Sequence, residues 1–184
     1  MNIGILDYKA CNLSSIYYSI YRMGYDPIII NSAKEIKRVD KLIIPGVGSA
    51  KYCLDYLKKN GMFNEVKEFL NLEKHILGIC LGLQIFSKNL YEHGTSEGFG
   101  LFDTEVIQIN KLNHFNIGWS KINYDKTSSI PAEIIKNDIF YFCHSYYINF
   151  LNQNDKKNCL GFLDGEILIP SILLKDNFLG VQFH

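Results

Sequence analysis

The amino-acid sequence predicts an α/β fold with a mostly parallel central sheet, helices on both faces and a smaller antiparallel extension. In the first half, short apolar runs alternate with stretches of helical period, a pattern typical of parallel sheets covered by helices. In the second half, apolar runs follow one another over short connections, as antiparallel strands do. The 184 residues contain no repeat or linker and fit one domain, 1–184.

Four apolar runs in the first half are predicted strands: Asn2–Leu6, Pro27–Ile30, Leu42–Ile44 and Ile76–Ile79. Helical spacing predicts helices over four further stretches: Leu13–Ile20, a segment opened by the capping box Ser32–Glu35, Ala50–Leu57 and Asn64–Leu72. Gly24 and Asn60–Gly61 stand where two of these helices should end. This alternation of strand and helix favours parallel strand neighbours.

Five runs in the second half are predicted strands: Glu105–Ile109, Trp119–Tyr124, Ile139–His144, Leu160–Leu163 and Glu166–Ile172. Asp164–Gly165 has the composition of a two-residue hairpin turn between the last two. We therefore expect antiparallel hairpins in this half of the chain.

The composition argues against several function classes. Lys+Arg and Asp+Glu number 19 each, so no broad cationic face for nucleic acid is expected. The apolar runs are too short to span a bilayer, and Met1–Ile5 resembles no signal peptide. With five cysteines and no export signal, we expect a cytoplasmic protein with reduced thiols and no membrane partner. No spacing typical of a metal or phosphate site occurs, so neither a metal nor a cofactor is expected.

A nucleophile is predicted at Cys80, which two glycines flank in the segment Gly78–Gly82. An apolar strand ends at this cysteine, and helical spacing follows at Leu83, Phe86 and Leu90. Small residues on both sides fit a tight strand-to-helix turn of the nucleophile-elbow type. The N-terminus of that helix would favour a thiolate and offer an N–H to an oxyanion. The alternative, a buried structural cysteine, is the interpretation adopted for Cys53 and Cys143.

A thiol nucleophile needs a base, and two histidines end apolar strands. His144 follows the strand from Ile139, and His184 follows Leu179–Phe183, so spacing alone leaves the choice between them open. His75, His93 and His114 lie in polar stretches typical of solvated residues. The glycine-rich loop Pro45–Gly48 also follows a strand and could approach a substrate closely or be an ordinary tight turn.

Together, these stretches resemble the class I (triad-type) glutamine amidotransferases, which have a flavodoxin-like sheet. The resemblance is closest to the glutaminase subunits of imidazole glycerol phosphate synthase in histidine biosynthesis, which work with a (β/α)8-barrel partner. The matching stretches are Asn2–Tyr8, Asn12–Leu13, Pro45–Gly48, Gly78–Gln84, Gly118–Trp119, His144–Tyr146 and Gly180–His184.

The resemblance implies a reaction and a role for each matching residue. Cys80 would attack the side-chain amide of glutamine to form a thioester, and His184 would relay the proton to ammonia. The oxyanion would be held by the Leu81 N–H and one N–H of the loop at Val47 and Gly48, which in this family rearranges with the partner. The glutamine-holding positions would be Gly46, Gln84, Glu92, His144, Ser145 and Tyr146. Asn12 and Trp119 would face the barrel partner, although Trp119 could equally be a core residue.

The sequence departs from the family in three places. The segment Asp7–Leu13 lacks the glycines that the family usually has there. Phe115–Ser120 stands where the family has Pro-His-x-Gly-Trp-Asn. Together, the two departures suggest a changed partner. The chain stops at His184, whereas the family continues with Pro-Glu, whose carboxylate completes the triad. Neither Glu97 nor Glu166 can be assigned that role, so we expect the sequence to be truncated.

Three alternatives follow. One is a related glutaminase that supplies ammonia to an amidotransferase acting on an N-acetyl amino sugar. Another is an inactive pseudo-glutaminase that stabilises its partner. The third, a different thiol hydrolase on a similar sheet, is disfavoured by the match of Pro45–Gly48 and Gly180–His184 to the glutaminases.

Overall fold

The structure, a computed structural model, describes residues 1–109, 116–124, 139–163 and 167–184. The sequence-based expectations at His114, Phe115, Asp164–Gly165 and Glu166 therefore lie outside the described residues. The strands in the described part are β1 (Ile3–Leu6), β2 (Ile28–Ile30), β3 (Lys41–Ile44), β4 (His75–Ile79), β5 (Ser87–Leu90), β6 (Ser96–Glu97), β7 (Phe102–Gln108), β8 (Asn116–Lys121), β9 (Asn123–Tyr124), β10 (Ile139–His144), β11 (Tyr146–Phe150), β12 (Cys159–Leu163), β13 (Ile169–Lys175) and β14 (Phe178–Val181). The helices are α1 (Leu13–Arg22), α2 (Ala33–Ile36), α3 (Ala50–Lys59), α4 (Met62–Asn71), α5 (Leu81–Gln84) and a last turn, Gln153–Lys156.

The main sheet has eight strands in the order β2-β1-β3-β4-β14-β13-β12-β9. Its first five strands are parallel, and β13, β12 and β9 extend it with antiparallel pairs. A four-stranded sheet, β11-β7-β5-β6, and a two-stranded antiparallel ribbon, β8 and β10, lie outside it. This confirms the predicted mostly parallel sheet with an antiparallel extension.

Helices lie on both faces of the parallel strands. On one face, α2, α3 and α4 pack Ile36, Leu54 and Val66 into a core that includes Ile44 and Ile76. Strand residues alternate between faces, so Ile43 and Leu77 point the other way. There they line a groove with Ile16 and Ile20 of α1, which places α1 on the second face. No helix in the described ranges is both long and apolar enough to cross a membrane.

The segment after Cys80 differs from the prediction. A helix was expected through Leu83, Phe86 and Leu90, but α5 ends at Gln84 and β5 begins at Ser87. Phe86 and Leu90 are both fully buried, and Ser87 pairs with Phe102 of β7 in parallel. Phe86 and Leu90 are four positions apart, a spacing that places two apolar residues on one face of a helix. The same spacing also fits a short strand whose two ends are buried. The periodicity alone could not distinguish the two.

Two other strand predictions needed correction. The run Trp119–Tyr124 was expected as one strand, but it divides between β8, which pairs with β10, and β9, which joins the main sheet. The strand Tyr146–Phe150 was not predicted, and it pairs with β7. Its alternation is weak because four of its five residues are only half-buried.

Candidate functional site

Cys80 occupies a tight turn between β4 and α5. Its φ of 52° and ψ of −104° lie outside the regions usual for a residue with a side chain. Its N–H donates to Val181 O at 2.7 Å, which fixes it to the end of β14. A Cβ on Gly82 would lie 2.0 Å from Ile44 O, and one on Gly78 would lie 2.4 Å from Gly82 O. The two flanking glycines are therefore required by backbone packing, as the elbow pattern predicts.

Cys80 opens into a cavity of about 470 Å³ at the carboxyl ends of the parallel strands. The eleven residues predicted for catalysis, the oxyanion hole and glutamine binding all line it: Gly46, Val47, Gly48, Cys80, Leu81, Gln84, Glu92, His144, Ser145, Tyr146 and His184. The structure thus gathers these residues, distant in sequence, around one thiol. Tyr141 and Cys143 line the cavity as well. The prediction of a buried structural cysteine holds for Cys53 but is wrong for Cys143, which is exposed.

The thiol of Cys80 is 6% exposed, and burial raises its pKa to about 12. The Leu81 N–H and the Gln182 side chain act in the opposite direction, because each donates a hydrogen bond that favours the thiolate. The expected thiolate-stabilising helix is only four residues long, and desolvation outweighs these contacts. Burial therefore favours the protonated form of the Cys80 thiol.

A chain of side-chain amides runs from the cavity wall to the thiol. Gln84 Nε2 donates to Tyr146 O at 2.9 Å and to Gln182 Oε1 at 3.0 Å. Gln182 Nε2 in turn donates to Cys80 Sγ at 3.3 Å. Both hydrogens of the Gln84 amide are used in these bonds, so its oxygen is the atom left for a ligand.

The two candidate bases differ in their contacts. Nδ1 of His144 lies 2.8 Å from Tyr146 O, and Nε2 lies 3.0 Å from Asn116 Nδ2. Burial lowers the pKa of His144 to about 4, so this ring is neutral and both nitrogens are occupied. His184 lines the same cavity and is more exposed, and partial burial lowers its pKa as well. Of the two, His184 has the ring available to exchange a proton.

Among the described residues, no carboxylate is hydrogen-bonded or ion-paired to the His184 ring. The backbone N–H of His184 donates to Tyr141 O at 2.8 Å, which ties this position to β10. Glu97, to which the sequence assigned no triad role, pairs with Asn89 in the β5–β6 hairpin.

The loop Pro45–Gly48 packs against the elbow. A Cβ on Gly46 would lie 2.2 Å from Ile79 O and 2.4 Å from Leu81 N, so this glycine allows contact with the elbow backbone. Gly48 has φ +93°, which favours glycine. At Gly46 the loop therefore approaches the backbone of the elbow closely.

The loop's middle peptide groups are turned toward a buried tyrosine. Val47 N donates to Tyr8 Oη at 3.3 Å, and the Tyr8 hydroxyl donates toward Pro45 O at 3.0 Å and Val47 O at 3.2 Å. Tyr8 is fully buried. The Val47 N–H is thus occupied in this conformation, whereas the Leu81 N–H lies beside the thiol.

Glu92 reaches the cavity from the loop after β5. Its Oε2 accepts the Ala50 N–H at 2.6 Å, at the first residue of α3. A carboxylate is well placed at a helix N-terminus, so this contact fixes one oxygen of Glu92. The other oxygen is free to meet a cationic group in the cavity.

The segment Asp7–Leu13 places a lysine where the matching family stretch has glycine. Lys9 itself adopts φ 66°, the left-handed region that favours glycine. Its N–H donates to Asp7 Oδ1 at 2.7 Å, and its Nζ contacts Asp7 Oδ2 at 2.7 Å. The side chain of Asp7 therefore holds Lys9 in a backbone conformation that favours glycine.

The two predicted partner-facing residues lie outside the cavity. Asn12 caps α1 by accepting the Ser15 N–H, and it lines the neighbouring groove together with His184. Trp119 is 71% exposed on β8, which excludes the core interpretation. Its ring meets that of Tyr141, a cavity residue, edge to face at 5.5 Å.

Sequence reasoning gave no role to Gln182 or Tyr8, although both lie in matching stretches. Gln182 is fully buried in an otherwise apolar segment, and it stands two positions before His184. A polar side chain buried in an apolar segment indicates a hydrogen bond to another buried group. Tyr8 gave no comparable signal, because its hydroxyl meets a loop 37 to 39 positions away.

Known proteins similar to this chain include several HisH sequences. The subunit HisH of imidazole glycerol phosphate synthase from Caldanaerobacter subterraneus is 37% identical over 183 residues, covering 99% of this chain and 89% of the relative. The protein named HisH 2 from Methanococcus maripaludis is 36% identical over 186 residues, covering 99% and 90%. The family model of the CobB/CobQ-like glutamine amidotransferase domain matches residues 8–127.

Solved structures share the fold at low sequence identity. PurLQS from Thermotoga maritima gives a TM-score of 0.75 at 16% identity, covering all of this chain and 86% of that chain. A crystal structure of a glutamine amidotransferase gives 0.73 at 14% identity, covering 99% and 89%. These likenesses support the fold assignment alone.

Proposed function

The chain belongs to the HisH family of imidazole glycerol phosphate synthase subunits, and from this premise we propose that it hydrolyses glutamine to glutamate and ammonia at Cys80. The observation that carries the proposal is the placement of the Cys80 elbow and the His184 ring, which no described residue hydrogen-bonds, in one cavity. The neutral imidazole of His184 can take a proton that the buried thiol retains.

In the first step, His184 accepts the Cys80 proton while Sγ attacks the amide carbon of glutamine. The tetrahedral intermediate then breaks its C–N bond, and the imidazolium gives its proton to the departing ammonia. The product is a glutamyl thioester on Cys80. In the second step, His184 removes a proton from water, which attacks the thioester and returns the thiol and glutamate.

Negative charge develops on the carbonyl oxygen in both steps. The Leu81 N–H, already beside the sulfur, is the first donor to this oxygen. A second donor comes from the Val47–Gly48 part of the loop, after the Val47 N–H leaves the Tyr8 hydroxyl. The resting protein therefore has half of an oxyanion hole, which predicts slow hydrolysis until the loop rearranges.

The remaining cavity residues suit the two ends of free glutamine. The unshared oxygen of Glu92 attracts the α-ammonium group, and the amide oxygen of Gln84 accepts a further N–H. Backbone groups of Gly46, Ser145 and Tyr146 complete the site, and His144 positions Tyr146 through its bond to Tyr146 O. No metal or cofactor enters these steps.

We further propose that ammonia passes to a (β/α)8-barrel synthase subunit that covers the cavity near Trp119 and Asn12. Exposed aromatic surface beside the cavity mouth suits such a contact. The similar HisH subunits favour the histidine pathway over the amino-sugar alternative. The alternative is an inactive protein that only stabilises its partner. The experiment below distinguishes it from a glutaminase.

Acid quenching during turnover, followed by peptide mapping, tests the thioester directly. The full-length protein with its barrel partner and glutamine should carry one glutamyl group on Cys80. Cys80→Ala should carry none and release no glutamate, and Cys159→Ala, a change in β12 away from the cavity, should retain the adduct. Continued glutamate release by Cys80→Ala would refute the proposal.

A further inference from the structure

We propose that the Tyr8 hydroxyl is a latch that holds the loop Pro45–Gly48 in its resting conformation, with the Val47 N–H turned away from the thiol. The inference rests on the proposed glutaminase, since it assigns that reaction a further positioning residue. Tyr8 does not itself line the cavity, and it acts through Val47, which does.

The latch consists of hydrogen bonds from one oxygen to both sides of Val47. Tyr8 Oη accepts the Val47 N–H at 3.3 Å, and its single proton is shared between Pro45 O at 3.0 Å and Val47 O at 3.2 Å. The peptide groups before and after Val47 are therefore both anchored to the same buried atom. Because the Tyr8 side chain is fully buried, its hydroxyl has no solvent beside it to replace these bonds when they break.

The surrounding loop leaves Val47 as the part that can turn. Gly46 is held against the elbow, since a Cβ there would overlap the backbone at Ile79 and Leu81. Gly48 stands at φ +93° with open space around it, the nearest atoms to its ideal Cβ being 3.8 Å away on Ala10. Val47 itself is 43% exposed at the cavity. Gly46 is therefore fixed and Gly48 can change its backbone angles, so Val47 between them can turn.

Removing the hydroxyl changes the balance between the two loop conformations. In the resting conformation, the Val47 N–H would lose the oxygen that accepts its hydrogen bond. Pro45 O and Val47 O would lose the hydroxyl that donates to them. A conformation with the Val47 N–H turned toward the thiol already lacks the first of these bonds, so it loses less. The population should therefore shift toward the conformation that completes the oxyanion hole.

Tyr8→Phe tests this shift, because it keeps the buried ring and removes only the hydroxyl. We expect the kcat of glutamate release by the protein without partner to rise at least fivefold, with KM for glutamine within twofold. The stimulation by the barrel subunit should fall by the same factor. Tyr17→Phe is the matched control. Tyr17 lies on α1, and its hydroxyl donates to Asp26 Oδ1 at 2.9 Å, away from the loop. Loss of this hydroxyl should leave kcat and the stimulation by the barrel subunit unchanged.

Hydrogen exchange of the Val47 amide gives a readout independent of activity. In the free wild-type protein this amide should be protected, and in Tyr8→Phe it should exchange at least tenfold faster, with Leu83 unchanged as an elbow reference. Equal Val47 exchange in the two proteins would overturn the latch, as would an equal loss of kcat with and without partner. If the wild type releases no glutamate, the proposed function fails, and the exchange measurement still decides on the latch.

Discussion

The side-chain amide of Gln182 donates to the sulfur of Cys80 at 3.3 Å, joining the nucleophile to a residue 102 positions later in the chain. The same amide accepts from Gln84 through its oxygen, so the donor is held in one orientation. This contact lowers the pKa of a thiol that burial otherwise raises. Gln182 is therefore a positioning residue for the thiolate, two positions before the proposed base.

Gln182→Met is expected to lower the kcat of glutamate release about tenfold, the effect of losing a hydrogen bond to a developing charge. The methionine keeps the length of the side chain and has no donor. KM should change less, because Gln182 does not line the cavity. Steady-state kinetics measures both values, with the exposed Gln108→Met as control. An unchanged kcat in Gln182→Met would exclude this role.

The five cysteines, none of them in a disulfide, should differ sharply in their rate of reaction with iodoacetamide. Burial raises the pKa of Cys80 to about 12, so this thiol is protonated at pH 7, and the thiolate is the reactive form. Cys143 is exposed at the same cavity and should be alkylated first in the resting protein. Time-resolved peptide mapping distinguishes the two sites. Faster alkylation of Cys80 than of Cys143 at pH 7 would contradict a protonated resting nucleophile.

Protonation of His144 should destabilise the fold at mildly acidic pH. Burial lowers its folded-state pKa from 6.5 to about 4, so the unfolded chain takes up the proton first. Its contribution is complete above about pH 6.5 and is lost as the pH falls toward 4, on the order of 3 kcal/mol in total. Urea unfolding at pH 7 and pH 4.5 measures the loss. In His144→Gln that difference should shrink, and an equal difference in both proteins would refute the assignment.

Trp119 is the one tryptophan of the chain, and it is 71% exposed. If the barrel subunit covers it, its fluorescence should shift to shorter wavelength when the two proteins are mixed. The same titration with Trp119→Phe removes this chain's signal and isolates any tryptophan of the partner. A complex that forms, shown by sedimentation, without a wavelength shift would place the interface elsewhere.

The tight strand-to-helix turn at Cys80 could be predicted from sequence because its requirements are local. The strained turn at Cys80 needs glycine at 78 and 82, where any Cβ would overlap backbone oxygen atoms, and these needs are visible in five consecutive residues. The parallel strands were equally visible, since each is an apolar run bounded by turn residues. Features that depend on neighbouring residues only, such as this turn and these strands, can be predicted from the sequence.

The choice between His144 and His184 could not be made from spacing. Both end apolar strands, and the difference lies in the partners of their rings. His144 is fixed by Asn116, which lies 28 positions earlier on the paired strand β8. The Tyr8 and Gln182 contacts have the same origin, because each joins segments that only the fold brings together. Tertiary packing also made Ser87–Leu90 a strand where local periodicity suited a helix.

The most direct test of the central claim is glutamate release from glutamine by the full-length protein, mixed in turn with a histidine-pathway barrel subunit and with an amino-sugar-pathway partner. We expect slow release by the chain alone, strong stimulation by the histidine-pathway subunit and no release by Cys80→Ala in the same complex. Stimulation only by the other partner would move the protein to that pathway. Silence with both, despite measured binding, would contradict the glutaminase and leave a partner-stabilising role.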